Sequence, residues 1–255
     1  MLFRTVFGPE LAAVYGFIFA TKDAVSRPEV HRAFMPEYAD SRSVSTQSVD
    51  DALSFLVSAD LIRDVDGDYV ARPIQALSFR LTVLMQARSL QLGDIEPKHV
   101  TDPLYMLILE ELFVRPNRVF VADLHTEANK LRQVQEVGGL SKEKLQAWKR
   151  VMAYLGMGWR VGDGFLCACL PDLLKEMLDA WEYDEGLLQL FLEAHLGKFL
   201  PFQTVGGDLA DSIGQSLLYS ARNGGLALVA RYDSSAKPYF GEQRLRYLTR
   251  MGSAQ

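Results

Sequence analysis

The stretch QSVDDALSFLVSADLIRDVDGDYVARP (residues 47–73) predicts a helix that runs directly into a β-hairpin. Its apolar residues recur at three- and four-residue spacing, as expected for a helix with one buried face: Val49, Leu53, Leu56 and Val57. Ser48 precedes this stripe and is expected to cap the helix. Two short apolar segments then flank Asp66-Gly67, a dipeptide that favours the tight two-residue turn of a hairpin.

Two further helices are predicted before this stretch. Residues 9–21 carry an apolar stripe, and Ser26 with Glu29 three residues later forms a capping box that starts a second helix. Three helices followed by a hairpin within about 65 residues resemble a winged-helix domain. The alternative is a three-helix bundle with an unrelated hairpin.

The same order of elements is predicted to recur in residues 101–182. A long apolar helix at 74–92 and a linker ending at residue 100 precede it. Three helical patterns then lead into WRVGDGFLCACL (159–170), a second hairpin with glycines in its turn. Superposing Asp66-Gly67 on Asp163-Gly164 gives a repeat of 97 residues and places Arg63 opposite Arg160.

The C-terminal residues 183–255 are predicted to form a mainly helical extension. It contains a strand at 226–233 and a short final helix, RLRYLTRM (244–251). A third hairpin in this region is the alternative. The chain is thus predicted to be mainly α-helical with small β-hairpins, an α+β fold with winged-helix-like domains at 1–73 and 101–182, a connecting segment at 74–100 and the extension.

The sequence offers no set of residues typical of catalysis or metal binding. Its four histidines are isolated from one another, and two cysteines, Cys167 and Cys169, are too few for a closed zinc site. The N-terminal apolar run is only about ten residues long, which is too short to span a bilayer. We therefore expect a non-enzymatic cytoplasmic protein with no metal, no cofactor and no membrane association.

The charges are unevenly distributed along the chain. The net charge is −5, whereas proteins that bind mainly DNA phosphates are more often basic. Residues 48–73 hold six aspartates and two arginines, residues 141–163 carry a charge of +3, and residues 222–255 carry +4. The first hairpin is therefore expected to contact a protein, while the second unit and the tail are candidates for contact with double-stranded DNA without sequence preference. The alternative for the second unit is a solvated basic helix face. The alternatives for the tail are contact with an acidic protein groove and a packed terminal element.

The order of elements over residues 8–182 resembles tandem winged-helix proteins. That resemblance allows two classes: DNA-binding transcription regulators, and the MukE-like or ScpB-like subunits that sit on the kleisin of SMC-type complexes and use winged-helix surfaces to dimerise and bind it. The acidic first unit favours the accessory subunit, which implies a kleisin- or ATPase-like partner, a homodimer and auxiliary DNA contact. The candidate DNA-binding residues are Lys142, Lys144, Lys149, Arg150, Arg160, Arg244, Arg246 and Arg250, and the candidate partner-binding residues are Asp50, Asp51, Asp64, Asp66, Asp68, Phe79 and Leu84.

Overall fold

The first unit of the chain consists of three helices and a three-stranded antiparallel sheet. The structure, a computed structural model, describes residues 2–34, 46–72, 77–230, 237, 239–240 and 245–251. In the first unit the elements are α1 (Gly8–Thr21), β1 (Val25–Ser26), α2 (Arg27–Ala33), α3 (Gln47–Ser58), β2 (Ile62–Val65) and β3 (Asp68–Ala71). The strand order is β1–β3–β2, so the hairpin is joined at one edge by the short strand that precedes α2.

The local features that the sequence predicts for this unit are largely confirmed. Asp66 and Gly67 adopt positive φ angles of 56° and 92°, the backbone that a two-residue turn of this kind requires. Ser26 Oγ lies 2.6 Å from Glu29 Oε2, and the Ser26 N–H donates to the same oxygen. The expected cap at Ser48 is wrong, because the N-cap is Thr46, two residues earlier, and α3 begins at Gln47.

The second unit repeats this order after a connecting helix. That helix, α4, spans Phe79–Leu92, and the part of its predicted range at 74–76 lies outside the described residues. The following elements are α5 (Leu104–Leu109), which continues as a π-helix (Glu110–Val114), then β4 (Phe120–Val121), α6 (Leu124–Ala128), α7 (Arg132–Glu136), α8 (Lys142–Tyr154), β5 (Gly158–Val161) and β6 (Gly164–Cys167). The strand order β4–β6–β5 matches that of the first sheet.

The structural repeat between the first two units is 96 residues, one fewer than predicted. The bond from Leu61 N to Leu56 O recurs as Met157 N to Met152 O, in each case at the end of the helix that precedes the hairpin. The hairpins then continue in the same register, so that β2 corresponds to β5 and β3 to β6. Consequently Arg63 corresponds to Trp159, and not to Arg160 as the sequence comparison predicted.

The C-terminal part also contains a three-stranded antiparallel sheet. Its elements are α9 (Pro171–Asp179), β7 (Glu185–Leu187), α10 (Leu188–Leu190) with π- and 3-10 turns up to Lys198, α11 (Asp211–Arg222), β8 (Leu226–Ala230) and β9 (Leu245–Arg250). The predicted final helix is wrong: residues 245–250 form β9, the central strand of the order β7–β9–β8. Because β9 pairs on both sides, its sheet partners outweigh a local helical pattern.

A continuous hydrophobic core joins these units. Tyr105 on α5 is fully buried, and its ring lies 5.2 Å from Phe3 and 6.2 Å from Phe55 of the first unit. On the other side its carbonyl oxygen accepts a 2.8 Å hydrogen bond from Trp148 Nε1 of α8. The described residues thus form mainly helices with small antiparallel sheets, as the α+β prediction requires, while the domain boundaries at 73, 100 and 182 stay predictions.

Candidate interaction surface

Helix α3, where the sequence predicts part of an acidic partner surface, is largely covered by the chain itself. Of its residues only Gln47 and Ser48 are exposed. Helix α1 packs along one side of α3, and the Phe55 ring contacts Tyr105 of the second unit on another. A macromolecule therefore has no continuous face of α3 to bind in this arrangement.

The two aspartates of α3 form ion pairs within the first unit. Arg27 Nη2 and His31 Nε2 each lie 2.7 Å from Asp50 Oδ1. Partial burial raises the pKa of the Asp50 carboxyl, but hydrogen bonds from His31 and Arg27 outweigh this effect and lower it overall. Asp51 accepts hydrogen bonds from Arg4 at 3.3 Å and from Gln47 at 3.0 Å. The charges of Asp50 and Asp51 are thus used to hold helices and the N-terminal segment together.

The aspartates of the first hairpin remain exposed. Asp64 Oδ1 accepts a 3.0 Å hydrogen bond from the Gly67 N–H and so stabilises the turn. Asp66 occupies a left-handed position in that turn, and Asp68 begins β3. Of the five candidate aspartates, these three remain accessible to a partner.

The two apolar partner-binding candidates of α4 pack inside the chain. Leu84 is fully buried, which leaves no side-chain surface for a partner. The Phe79 ring is half-buried and lies 5.5 Å from the ring of Tyr15 on α1. Helix α4 also packs against α5 and α9, so its apolar side belongs to the core.

The basic residues of α8 do not form one free cationic face. Lys149 is only 1% exposed, and its ammonium group donates a 3.0 Å hydrogen bond to the Gly162 carbonyl in the second hairpin turn. Burial lowers the pKa of Lys149, and the neighbouring Asp163 carboxylate offsets part of this effect. Lys149 thus stabilises the hairpin turn through this hydrogen bond, and its buried side chain cannot reach a DNA phosphate. Lys142 is exposed and pairs with Asp163 at 3.3 Å, and Lys144 is partly exposed.

Two arginines meet in a cleft beside the second hairpin. Arg150 on α8 and Arg160 on β5 line a cleft of about 200 Å³ together with Phe7 and other residues at the start of α1. The Arg150 guanidinium lies 5.3 Å from the centroid of the Phe7 ring, a cation–π arrangement. Within the described parts of the chain, neither arginine forms an ion pair with a carboxylate. The cleft therefore combines two positive charges with an exposed aromatic ring.

The arginines of the tail are less accessible than the sequence predicts. Arg250 pairs with Asp184 and donates a 3.1 Å hydrogen bond to the Leu178 carbonyl, which fixes it against α9. Arg246 is half-buried in β9, and Arg244 lies outside the described residues. Arg246 and Arg250 both belong to β9 of the C-terminal sheet.

The outer face of the second sheet is apolar and uncovered by the described residues. Leu166 in the central strand pairs with Phe120 on one side and with Trp159 on the other, so the three side chains form one row. Val161 lies on the same face as Trp159, two residues further along β5. Phe120 is 42% exposed, Trp159 49% and Val161 48%. Several large apolar side chains clustered on one exposed face are typical of an interaction site.

Sequence reasoning missed this apolar face. The alternation of Gly158, Trp159, Arg160 and Val161 is a strand signal that assigns Trp159 and Val161 to one side. It does not tell which side of the strand the rest of the chain covers, because either could face the core. The first sheet differs, since Arg63 takes the place of Trp159 there.

The described residues offer little that resembles a catalytic centre. Within them, no three His, Cys, Asp or Glu side chains are grouped so as to hold a metal ion. Burial raises the pKa of both the Cys167 and the Cys169 thiol to about 12, so these groups stay protonated near neutral pH. None of the helices in the described ranges is long and apolar enough to cross a membrane. Comparisons of the chain with protein-family models, with curated proteins and with solved structures found no match.

Proposed function

We propose that this protein is a non-enzymatic adaptor, an accessory subunit that binds another protein through the outer face of its second sheet. The observation that carries this proposal is the exposed apolar row of Phe120, Leu166 and Trp159, with Val161 beside it. Burying such a row against a partner releases ordered water and stabilises the complex by about 25 cal/mol for each Å² of apolar surface.

The repeated topology supports winged-helix domains as the scaffold of this adaptor. In each unit a short strand precedes the second helix and pairs with the last strand of the hairpin. A three-stranded sheet that packs on three helices in this way is expected of a winged-helix domain, in which the hairpin is the wing. The third helix of such a domain normally enters the DNA major groove, but α3 is covered by its own chain. This covering favours an accessory subunit of an SMC/kleisin-like DNA-associated complex, with a kleisin- or ATPase-like partner, over a transcription regulator.

Auxiliary contact with DNA is a second part of the proposal. Lys142 and Lys144 lie in the first turn of α8, the part of a third helix that approaches DNA, and Arg160 is exposed on the hairpin nearby. Lysines placed this way contact mainly phosphates, so we expect such binding to be weak, salt-dependent and without sequence preference. A transcription regulator remains the alternative and would require sequence-selective binding.

The protein-binding proposal is tested by affinity isolation of tagged protein from its native cells. We expect Val161→Asp to lose a partner that co-purifies in a fixed ratio with the wild-type chain. Val65→Asp is the matched control, because Val65 occupies the corresponding position of the first hairpin and is 53% exposed. Retention of every co-purifying protein by Val161→Asp would refute an adaptor role for this face.

The DNA contact is tested by gel shift with a random duplex at low salt. We expect the Lys142→Glu, Lys144→Glu double variant to weaken binding several-fold and to reduce its dependence on salt. A Lys175→Glu variant, which changes an exposed lysine of α9 that pairs with Asp179, serves as the control. Unchanged binding by the double variant would remove α8 as a DNA contact. Binding to one promoter sequence that survives a large excess of random competitor would favour the regulator.

A further inference from the structure

Strand β5 is an edge strand that no described strand pairs with on its outer side. The sheet order β4–β6–β5 leaves its outward-pointing N–H and C=O groups available for a further strand. Trp159, Arg160 and Val161 are all exposed, so the described residues also leave its side chains uncovered. A free edge beside an exposed apolar face is the geometry used when a protein adds a partner's extended segment to its sheet.

The two faces of this edge differ in chemistry. Trp159 and Val161 point to the outer apolar face, whereas Arg160 pairs with the buried Phe165 and so begins on the inner face. From there Arg160 reaches the cleft that it shares with Arg150 and Phe7. A strand added to β5 would alternate in the same way, with every second side chain over the apolar face and the others towards the arginines.

The size of the apolar face argues against a stable dimer built on it. Phe120 and Trp159 are each about half exposed, and with Val161 they offer on the order of 200–300 Å² of apolar surface. A stable interface between folded proteins buries about 800 Å² on each partner. The face is therefore better matched to a short segment than to a second folded surface.

The charge on the edge argues against a second copy of β5 as that segment. Antiparallel pairing of two β5 strands centred on Arg160 would place two arginines opposite each other, which is unfavourable. Arg150 in the adjoining cleft would add further positive charge. A carboxylate from a partner would instead complement both arginines, which form no ion pair with the described carboxylates.

We propose that β5 binds an extended segment of a partner protein in which acidic and apolar residues alternate. The segment adds to the sheet as a strand, its apolar side chains cover Trp159 and Val161, and a carboxylate enters the cleft of Arg150 and Arg160. This inference rests on the adaptor function proposed above and specifies the chemistry of the partner.

The test uses a fluorescently labelled nine-residue peptide in which glutamate alternates with valine. We expect the full-length protein to bind it, as measured by fluorescence anisotropy, and to bind a peptide with lysine in place of glutamate at least about tenfold more weakly. A peptide of the same composition with its glutamates and valines in two blocks should also bind weakly, because it cannot present both faces. A peptide whose backbone amides are N-methylated on the edge that faces β5 should not bind, because it cannot form the hydrogen bonds between the strands. A peptide N-methylated on its opposite edge should bind as well as the unmodified peptide.

Variants of the protein then locate the peptide. Arg160→Glu should weaken binding of the glutamate peptide about tenfold and favour the lysine peptide, a reversal that a general loss of structure cannot produce. Val161→Asp should weaken binding, and the matched Val65→Asp variant should not. Equal binding of both peptides by the wild type, absence of binding, or equal effects of Val161→Asp and Val65→Asp would overturn the proposal.

The remaining outcomes separate this inference from the adaptor function. If Val161→Asp loses its cellular partner but the wild type ignores the peptides, the adaptor role stands and strand addition is wrong. If random duplex DNA binds through Arg160 while binding of the glutamate peptide does not depend on Arg160, the cleft is a phosphate site and the proposal is overturned. A concentration-dependent dimer that Val161→Asp dissociates would identify a second copy as the occupant and overturn it as well.

Discussion

Replacement of Tyr105 by phenylalanine is expected to stabilise the protein. Tyr105 is fully buried where the first two units meet, and its hydroxyl group has no hydrogen-bond partner among the described residues. Burial raises the pKa of this hydroxyl well above the ordinary tyrosine value, so the group remains neutral but still lacks the hydrogen bonds it makes with water. Phenylalanine keeps the ring that contacts Phe3, Phe55 and Trp148 and removes only the unpaired polar atom.

The expected gain follows from the cost of leaving a buried polar group unpaired. That cost is about 1–3 kcal/mol, and the small space left by the missing oxygen takes back part of it. We therefore expect Tyr105→Phe to raise the free energy of unfolding by about 1 kcal/mol. For a chain of this size such a gain raises Tm by roughly 2–4 °C. Removing the whole ring in Tyr105→Ala should instead cost about 3–5 kcal/mol, because it opens a cavity between the units.

Urea denaturation followed by tryptophan fluorescence measures these differences. Tyr239→Phe is a suitable control, because Tyr239 is also buried but its hydroxyl hydrogen-bonds with Glu193 and Gln203. Removing that paired hydroxyl should lower stability by about 1 kcal/mol, a change opposite in sign to that of Tyr105→Phe. A loss of 1 kcal/mol or more for Tyr105→Phe would refute the reasoning, since it would mean that the hydroxyl is hydrogen-bonded in solution.

Three further variants or measurements test other contacts of the fold. Gly8→Ala should lower the free energy of unfolding, measured by urea denaturation, by about 1–3 kcal/mol, because the added Cβ would lie 1.9 Å from a tyrosine ring of α8. Gly16→Ala in the same helix is the control: its Cβ meets no atom within 4 Å, and it should raise the free energy of unfolding by about 0.5–1 kcal/mol. The pKa of Asp50 is lowered in the fold, so its stabilisation is present above the ordinary carboxyl pKa of about 4 and is lost as pH falls through the folded-state pKa. Asp50→Asn should accordingly lower the free energy of unfolding by about 1–2 kcal/mol at pH 7 and make it depend less steeply on pH in the acid range. An unchanged dependence on pH would contradict this. Cys167 and Cys169 should resist a thiol reagent at pH 8 in mass spectrometry unless denaturant is added, and rapid labelling of the native protein would contradict their burial.

The parts of the fold that follow from local chemistry could be predicted from the sequence. The capping box at Ser26 and the turn at Asp66-Gly67 depend on residues within a few positions of one another, and both are observed. Strand β9 could not be predicted in the same way. Its residues lie in a strand because they pair with β7 and β8, and those partners are distant in sequence.

The predicted acidic and basic surfaces are smaller than expected for a related reason. A count of charges along the chain does not show which of them pair internally once the helices pack. Asp50 meets Arg27 and His31 from another helix, and Lys149 is buried beneath the hairpin it supports. The exposed charges that remain on each unit are therefore fewer than the sequence suggests, and the apolar face of the second sheet becomes the more distinctive surface.

The one-residue error in the predicted repeat concealed that face. Aligning the two turns by their Asp-Gly dipeptides places Arg63 opposite Arg160, which makes the two hairpins look alike. Because successive strand residues point to opposite faces, a shift of one residue exchanges the inner and outer sides of the whole strand. In the observed register Arg63 corresponds to Trp159, and Asp64 corresponds to Arg160. The first hairpin thus has a charged arginine where the second has the apolar ring of Trp159. At the next position it has an aspartate where the second has an arginine. Both differences lie on the edge strand, so the two hairpins share a backbone but offer opposite chemistry, and only the second is suited to an acidic and apolar partner.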